Sequence, residues 1–584
     1  MGQDWSTPSQ RPSARVAMPQ SRVAAPPAGP RQPRTIVPPT EPMSRGQVKN
    51  HDGGYVYKVD DLVRLARLFC LGTEAGTYYV GDEKMKLENA QCIIRLIESG
   101  RGDEVVKMAV EYSVEGRTAK QQGLLLAMAI CARQSTDPDT KRLAYEHLHE
   151  VCRIPTHLFI FLTYCEALSN GTGWGRAHRR AIANWYLRFQ ESPQEARRLA
   201  MLVTKYKSRN GWSHQDVLRL SHPKPRHDGE TNGVTAILKY VVKGFELAKD
   251  DLAASHLLDY IQAVEDVKAQ RDPNAVHVSG LADIIREHRL VREHINTQLL
   301  QFPEVWEALL EHMPITAMIR NLGKMSSIGM LTRGSSHERT ITSKLENLEA
   351  LKKARIHPFN VLVALLIYKK GKGDEGKLTW TPNTAVLQAL DNAFYLTFKL
   401  VEPTNKRYLL AVDVSGSMYF GPVNGCKSIT PGMAAAALSL VTARTERQCE
   451  IVGFSHELVP LAIGDHMKLP EVENEMRKMR MGRTDCSLPM QYALQHKKKF
   501  DVFIVYTDNE TNCGYIHPAE SLREYRKWSG ISDAKLIVCA MSVTDFSIAD
   551  PDDANMMDMP GFDTNGPEVM KTFVMGAMQP RPAN

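Results

Sequence analysis

Asp413, Ser415 and Ser417 stand at two-residue intervals directly after an apolar run, Tyr408 to Val412, and no other pattern in the chain is so suited to chemistry. The run YLLAV has the make-up of a buried strand. A strand that stops at Asp413 turns the hydroxyls after it outward over the carboxyl edge of a sheet, where open α/β folds collect their ligands. Two later segments add matching groups: Gly482 to Ser487 (GRTDCS) offers Thr484 in a loop, and Asp501 to Asp508 (DVFIVYTD) is a second apolar run ending in a carboxylate. Hard oxygen donors of this kind suit Mg²⁺ or a similar divalent ion, which keeps several waters and takes only one or two carboxylates. Asp413, Ser415, Ser417, Thr484 and Asp508 are therefore the candidate metal ligands, and a divalent cation, Mg²⁺ first, is the expected cofactor.

The set resembles the metal-ion-dependent adhesion site of von Willebrand factor A domains, which in that family leaves one metal position free for an acidic group of a partner. Ser-Gly-Ser after a strand is also ordinary turn and helix-cap chemistry, and the Thr and second Asp in order weigh against that reading. An aspartyl-nucleophile phosphatase would need a neighbouring acid for the leaving group, and two residues after Asp413 stands Ser415. A nucleophile elbow would need Gly where Asp413 stands. Gly421 to Ser428 (GPVNGCKS) carries Cys426 at the second glycine of a phosphate loop and reads as a solvated loop.

These loops need a sheet, and the chain has room for much more. At 584 residues it should hold two or more domains. A hydrophobic content of 43% and a charged content of 24% are those of a soluble globular protein. No apolar run approaches the ~20 residues of a membrane helix. The polar, proline-rich N-terminus lacks the apolar core of a signal peptide, so secretion is not expected. Ten cysteines without a CxxC pair read as reduced, mostly buried thiols of a cytosolic or nuclear protein. The net charge of +7 permits an acidic partner without demanding one.

Residues 1–48 are rich in Pro, Ser, Ala and Arg and read as a flexible basic tail. Residues 49–405 form the second unit, and residues 406–584 the α/β unit of the metal loops. From about Asp60 to Phe398 one amphipathic helical pattern follows another, among them Asp61 to Leu71, Thr140 to Val151, Gly175 to Phe189, Gly233 to Lys249, Leu281 to Leu299 and Glu304 to Leu322. Breaks fall at signals such as Asp137-Pro138 and Ile154-Pro155. Helical pairs of this length, without a strict period, predict a HEAT-like solenoid.

Within it, Trp174 to Arg226 concentrates cations, including Arg176, Arg179, Arg180, Lys205, Lys207, Arg209 and Arg219, against only Glu191, Glu195 and Asp216. Trp174, Trp185, Tyr186, Tyr206, Trp212, His178, His214 and His222 are interleaved. Cations neutralise phosphates while flat side chains stack on unpaired bases, which is what looped or single-stranded RNA needs. The alternative is a solvated basic helix face with Trp185 and Tyr186 in the core. Arg286 to His294 (REHRLVREH) reads as a salt-bridged helix face without chemistry.

Seven segments carry a family resemblance: Gly54-Tyr55-Val56, Gly76-Thr77-Tyr78-Tyr79, CRIPTH (152–157), TKYKSRNGWSHQDVLRLSH (204–222), RNLGKM (320–325), ARIHPF (354–359) and DNET (508–511). Over residue 50 to near the C-terminus the chain resembles the Ro (SS-A) autoantigen family. The resemblance implies a TROVE domain, an α-helical ring of HEAT-like repeats, whose ends are joined by an α/β doubly wound von Willebrand A-like domain. It implies a non-enzymatic protein, both cytoplasmic and nuclear, that binds small noncoding Y RNA on the outer basic surface and takes single-stranded ends of misfolded noncoding RNA into the hole. Y RNA contacts carry over to Lys205, Arg209 and His222; the basic cluster adds Lys207, Arg176 and Arg180. Gly416 stands where the family often has another small residue such as Ala, which leaves every metal ligand intact. A monomer without membrane contact is expected. The competing expectation is an interaction scaffold whose metal site captures a carboxylate of a partner protein.

Overall fold

The computed structural model describes residues 36–576 apart from 73–81, 227–232, 254, 275–276, 374–376, 399–401, 424–425, 427, 462–466, 470, 473–474, 476–477 and 479–481. Most of the N-terminal tail and the Gly76-Thr77-Tyr78-Tyr79 segment lie outside the described residues.

The α/β unit is a six-stranded sheet in the order β11 (Met556–Pro560), β9 (Lys535–Ala540), β8 (Val502–Thr507), β5 (Arg407–Asp413), β6 (Gln448–Phe454) and β7 (Leu458–Pro460). All neighbours are parallel except β6 and β7. Both central strands are apolar throughout because both faces are covered. Leu410, Val412, Ile504 and Tyr506 face a core that continues into the helical region. Leu409, Ala411, Phe503 and Val505 face a second core built with Met490, Leu522 and Tyr525. Asp413 and Asp508 thus fall at the carboxyl ends of adjacent strands, where the order reverses.

The helical region follows the predicted pattern, with local differences. The helix Asp61–Leu71 has the predicted bounds and is capped by Asp60, whose side chain accepts from the N–H of Leu62. The pattern over 281–299 is not one helix: Val278–His288 ends at Arg289 in the left-handed region, φ 49°, and short 3₁₀ turns follow. The pattern over 304–322 is two helices, Pro303–His312 and Ile315–Ser327, parted at Pro314, which cannot supply the helical N–H. Gly244 (φ 89°) splits 233–249, and His147 splits 140–151.

The array closes on itself. Arg117, early in the chain, offers its carbonyl to Nε2 of His357 at 3.3 Å, and Arg355 packs its Cβ 3.5 Å from the position a side chain on Gly116 would begin. The α/β unit bridges the same seam. Arg117 Nε donates to Asp563 at 3.0 Å, and Phe359 meets Phe562 edge-on at 5.3 Å. Arg67 is fully buried and reaches Asp558 at 2.6 Å and the carbonyls of Thr544 and Phe546 at 2.8 and 2.9 Å.

The strands β1 (Gln47–Lys49) and β2 (Tyr55–Lys58) pair antiparallel, and β2 pairs in turn with β10 (Phe546–Ser547) of the α/β unit. This hairpin sits on the loop after Asp508. Asn50 Nδ2 donates to the carbonyl of Thr511 at 2.8 Å, and His51 Nδ1 contacts Glu510 at 2.7 Å. A Cβ on Gly54 would lie 1.9 Å from the Thr511 oxygen, so only glycine permits this approach.

Candidate functional site

At the sheet edge the five predicted metal-site residues are all buried, each 5% exposed or less. The Ser415 N–H donates to Asp413 Oδ1 at 2.9 Å, and Thr507 Oγ1 donates to Oδ2 at 2.7 Å, which fixes that carboxylate. The Ser415 and Ser417 hydroxyls are 3.1 Å apart, and the Ser417 hydroxyl stabilises the charged form of Asp508. The Thr484 loop is held against the same edge: its N–H donates to Asn512 Oδ1 at 3.0 Å and its carbonyl accepts from the Asn512 N–H at 2.9 Å.

Burial, then repulsion from Asp508, pushes the Asp413 carboxyl up to about 7; burial, then Glu510, raises Asp508 to about 6. Two buried carboxylates side by side, ringed by hydroxyls, form a hard oxygen cage that a divalent cation would neutralise. The residues present therefore fit a Mg²⁺-type ion. Among the described residues no three of His, Cys, Asp and Glu come together as an alternative metal cluster.

The basic segment is sorted by the structure into core and surface. His178 and His214 are buried, and burial pushes both down to about 4, so they are neutral packing groups. His214 shares a hydrogen bond of 2.8 Å with the Tyr186 hydroxyl and packs edge-on against Phe159. Trp185 is buried and donates to the carbonyl of Cys152 at 2.5 Å. Four of the eight interleaved rings are thus unavailable for stacking on RNA. Trp174 and Trp212 are half-buried against each other, ring centroids 5.8 Å apart, and join the start of the helix Arg176–Leu187 to the following hairpin.

That hairpin was not anticipated by the helical periodicity. β3 (Ser208–Arg209) and β4 (Trp212–Ser213) pair across Asn210 and Gly211, at φ 51° and 80°. Asn-Gly with both residues left-handed is the favoured two-residue turn, so the dipeptide was the available signal. Ser213 then caps the helix His214–Ser221 in a capping box with Asp216. The helix ends at His222, exposed and left-handed at φ 47°.

Lys207 and Arg209 are exposed on this hairpin, and Arg176, Arg179 and Arg180 are exposed on the neighbouring helix. Among the described residues none of these five pairs with a carboxylate. Lys205 is different: its side chain is 18% exposed and lies 3.7 Å from Glu293. Arg198 and Arg226 are likewise paired, with Glu195 and Glu191.

Lys268, which lies outside the basic segment, joins the cluster. Its Nζ donates to the Thr204 carbonyl at 3.1 Å, and burial, reinforced by Lys207, pushes it down to about 8. An anion bound here would favour the protonated amine. Anion affinity should therefore be full below pH 8 and fall as pH rises from about 8 toward the ordinary lysine range, and Lys268→Gln should flatten that profile. Titration with RNA at pH 7, 8 and 9 checks this.

The fold and site define a class: a closed array of paired helices bridged by an α/β domain whose sheet edge carries two buried carboxylates among hydroxyls. Sequence comparison agrees. The TROVE domain model matches residues 48–279 and 285–366, and the Ro60 vWA domain model matches residues 407–574. RNA-binding protein RO60 of Caenorhabditis elegans is 37% identical over 92% of this chain and 91% of its own length. The protein of that name from Deinococcus radiodurans is 38% identical over 92% of this chain and 97% of its own. The crystal structure of the Deinococcus radiodurans RO (RSR) protein superposes with a TM-score of 0.65 at 36% identity, covering 89% of this chain and 100% of that one. The chain belongs to the Ro60 family.

Proposed function

We propose that this protein is the RNA-binding core of a small ribonucleoprotein, holding Y-type noncoding RNA and the single-stranded ends of misfolded noncoding RNA in a quality-control role without catalysis. The observation that carries the reading is the exposed hairpin with Lys207 and Arg209 unpaired, continuous through the Trp174 and Trp212 contact with Arg176 and Arg180. Unpaired surface cations on a rigid tip suit phosphates, and His222 at a helix end suits a stacking or hydrogen-bonding contact. Lys205, braced by Glu293, orients beside them. Both relatives are RNA-binding proteins by name, which supports the same reading. So do ten free cysteines, which suit a reducing cytoplasm or nucleus.

Hydrogen exchange tests it. A small RNA with a bulged stem should slow exchange of amides 207–213 and of the helix Arg176–Leu187, and leave the Asp413 edge unchanged. Protection confined to the α/β unit would overturn the localisation.

The metal edge supports a second role. Phe420 and Tyr515, each 56% exposed, follow the Ser417 and Asn512 loops, an apolar border fit for a protein partner whose carboxylate completes the ion's coordination. The bound cation would supply charge neutralisation and an open coordination position, while Asp413, Ser415, Ser417, Thr484 and Asp508 hold it. Millimolar Mg²⁺ is expected to raise the unfolding midpoint by a few degrees, and Asp413→Asn to remove that shift. Calorimetry with and without chelator checks it.

A further inference from the structure

The helix Pro138–Glu146, the short helix Leu148–Val151 and the helix Arg176–Leu187 enclose a groove of about 700 Å³. Its floor is apolar, from Leu148, Ala181 and the edge of Trp185. Arg180, Asn184 and Arg188 follow one another at four-residue intervals and so form one stripe along its wall, and Lys141 stands opposite. Ala177 and Ala181 at the same spacing leave the space between them open. The acid in the lining, Glu146, is already bonded to Arg142 at 2.8 Å.

Arg188 is held as a platform. Its guanidinium centre lies 4.7 Å above the rings of both Trp185 and Phe189, and it donates to the carbonyls of His149 and Arg153 at 3.0 and 3.4 Å. Its Nε is buried without a hydrogen-bond partner. Burial, then Arg198, lowers this group to about 10, which leaves a charged and poorly compensated cation at neutral pH.

We propose that this groove holds one unstacked nucleotide of a single-stranded RNA segment, the base lying on the Arg188 plane beside Asn184 and the phosphate on Lys141 and Arg180. The inference rests on the RNA-binding reading and adds a base pocket to the hairpin's phosphate contacts. A fixed guanidinium plane stacks on any base, and the Asn184 amide both donates and accepts toward a base edge. The volume is that of a small-ligand pocket. A second groove of about 440 Å³ shares Lys141, Tyr145 and Ala177 and continues past Arg133 and Arg176, a cationic course for the rest of the strand.

Full-length protein is titrated with a fluorescent ten-nucleotide RNA and with the same strand made abasic throughout, and separately with the bulged-stem RNA. The intact strand should bind about tenfold more tightly than the abasic one. Ala177→Trp fills the groove without changing charge and should abolish that advantage, with the melting temperature and the stem RNA affinity retained. Arg180→Gln should weaken both strands. Equal affinity for intact and abasic strands, indifferent to Ala177→Trp, with stem RNA still bound, would overturn the pocket and leave the RNA reading standing. Binding of no RNA at all, with an aspartate-rich peptide captured instead, would overturn both.

Discussion

Arg67→Met is expected to cost about 3–5 kcal/mol of folding stability. The guanidinium is fully buried at the seam between the first long helix and the α/β domain, where it holds Asp558 and the carbonyls of Thr544 and Phe546. Methionine occupies similar volume, so the loss is electrostatic: a buried carboxylate and two carbonyls are left without a donor. Urea denaturation followed by fluorescence measures it. Arg67→Met with Asp558→Leu should recover part of the loss, because it removes the unpaired charge while the carbonyls of Thr544 and Phe546 still lack that donor. Arg142, by contrast, pairs at the surface with Asp139 and Glu146, where solvent screens both partners, and its replacement by alanine should leave the urea midpoint nearly unchanged.

The second large effect is on binding. Lys207→Glu with Arg209→Glu is expected to weaken a bulged-stem RNA by about a hundredfold or more at low salt, since each charge-assisted contact is worth roughly 1.5–3 kcal/mol and reversal adds repulsion. Both side chains are exposed and unpaired on a hairpin whose geometry is set by Asn210 and Gly211, so the melting temperature should not move. Filter binding beside a thermal melt separates the two effects. An affinity unchanged by the double reversal would remove the hairpin from the interface.

Much of this architecture was legible because it rests on local patterns. Asp413 and Asp508 end apolar runs, and a run buried on both faces has few alternatives to a central strand, so the placement of both carboxylates at one sheet edge could be read from spacing alone. Helix periodicity located the array, yet it ran through Pro314 and Gly244, where the apolar stripe continues while the backbone turns. Which rings of the basic segment face solvent was not legible. The alternative with Trp185 and Tyr186 in the core was on hand, but composition also put His178 and His214 beside the arginines, and only the packing of neighbouring helices shows that these two are core as well. Lys268 and the clasp of Asn50 and His51 on the 509–511 loop depend on contacts across tens to hundreds of residues, which no local pattern encodes.

RNA binding through the hairpin is measured by titrating the full chain with a small bulged-stem RNA across a series of salt concentrations. Tight binding is expected, its log affinity falling linearly and steeply with log salt, with a slope reduced by about two when Lys207 and Arg209 are both alanine. Weak binding with a shallow slope, the same in both proteins, would remove RNA from the hairpin and move the function to the sheet edge around Asp413.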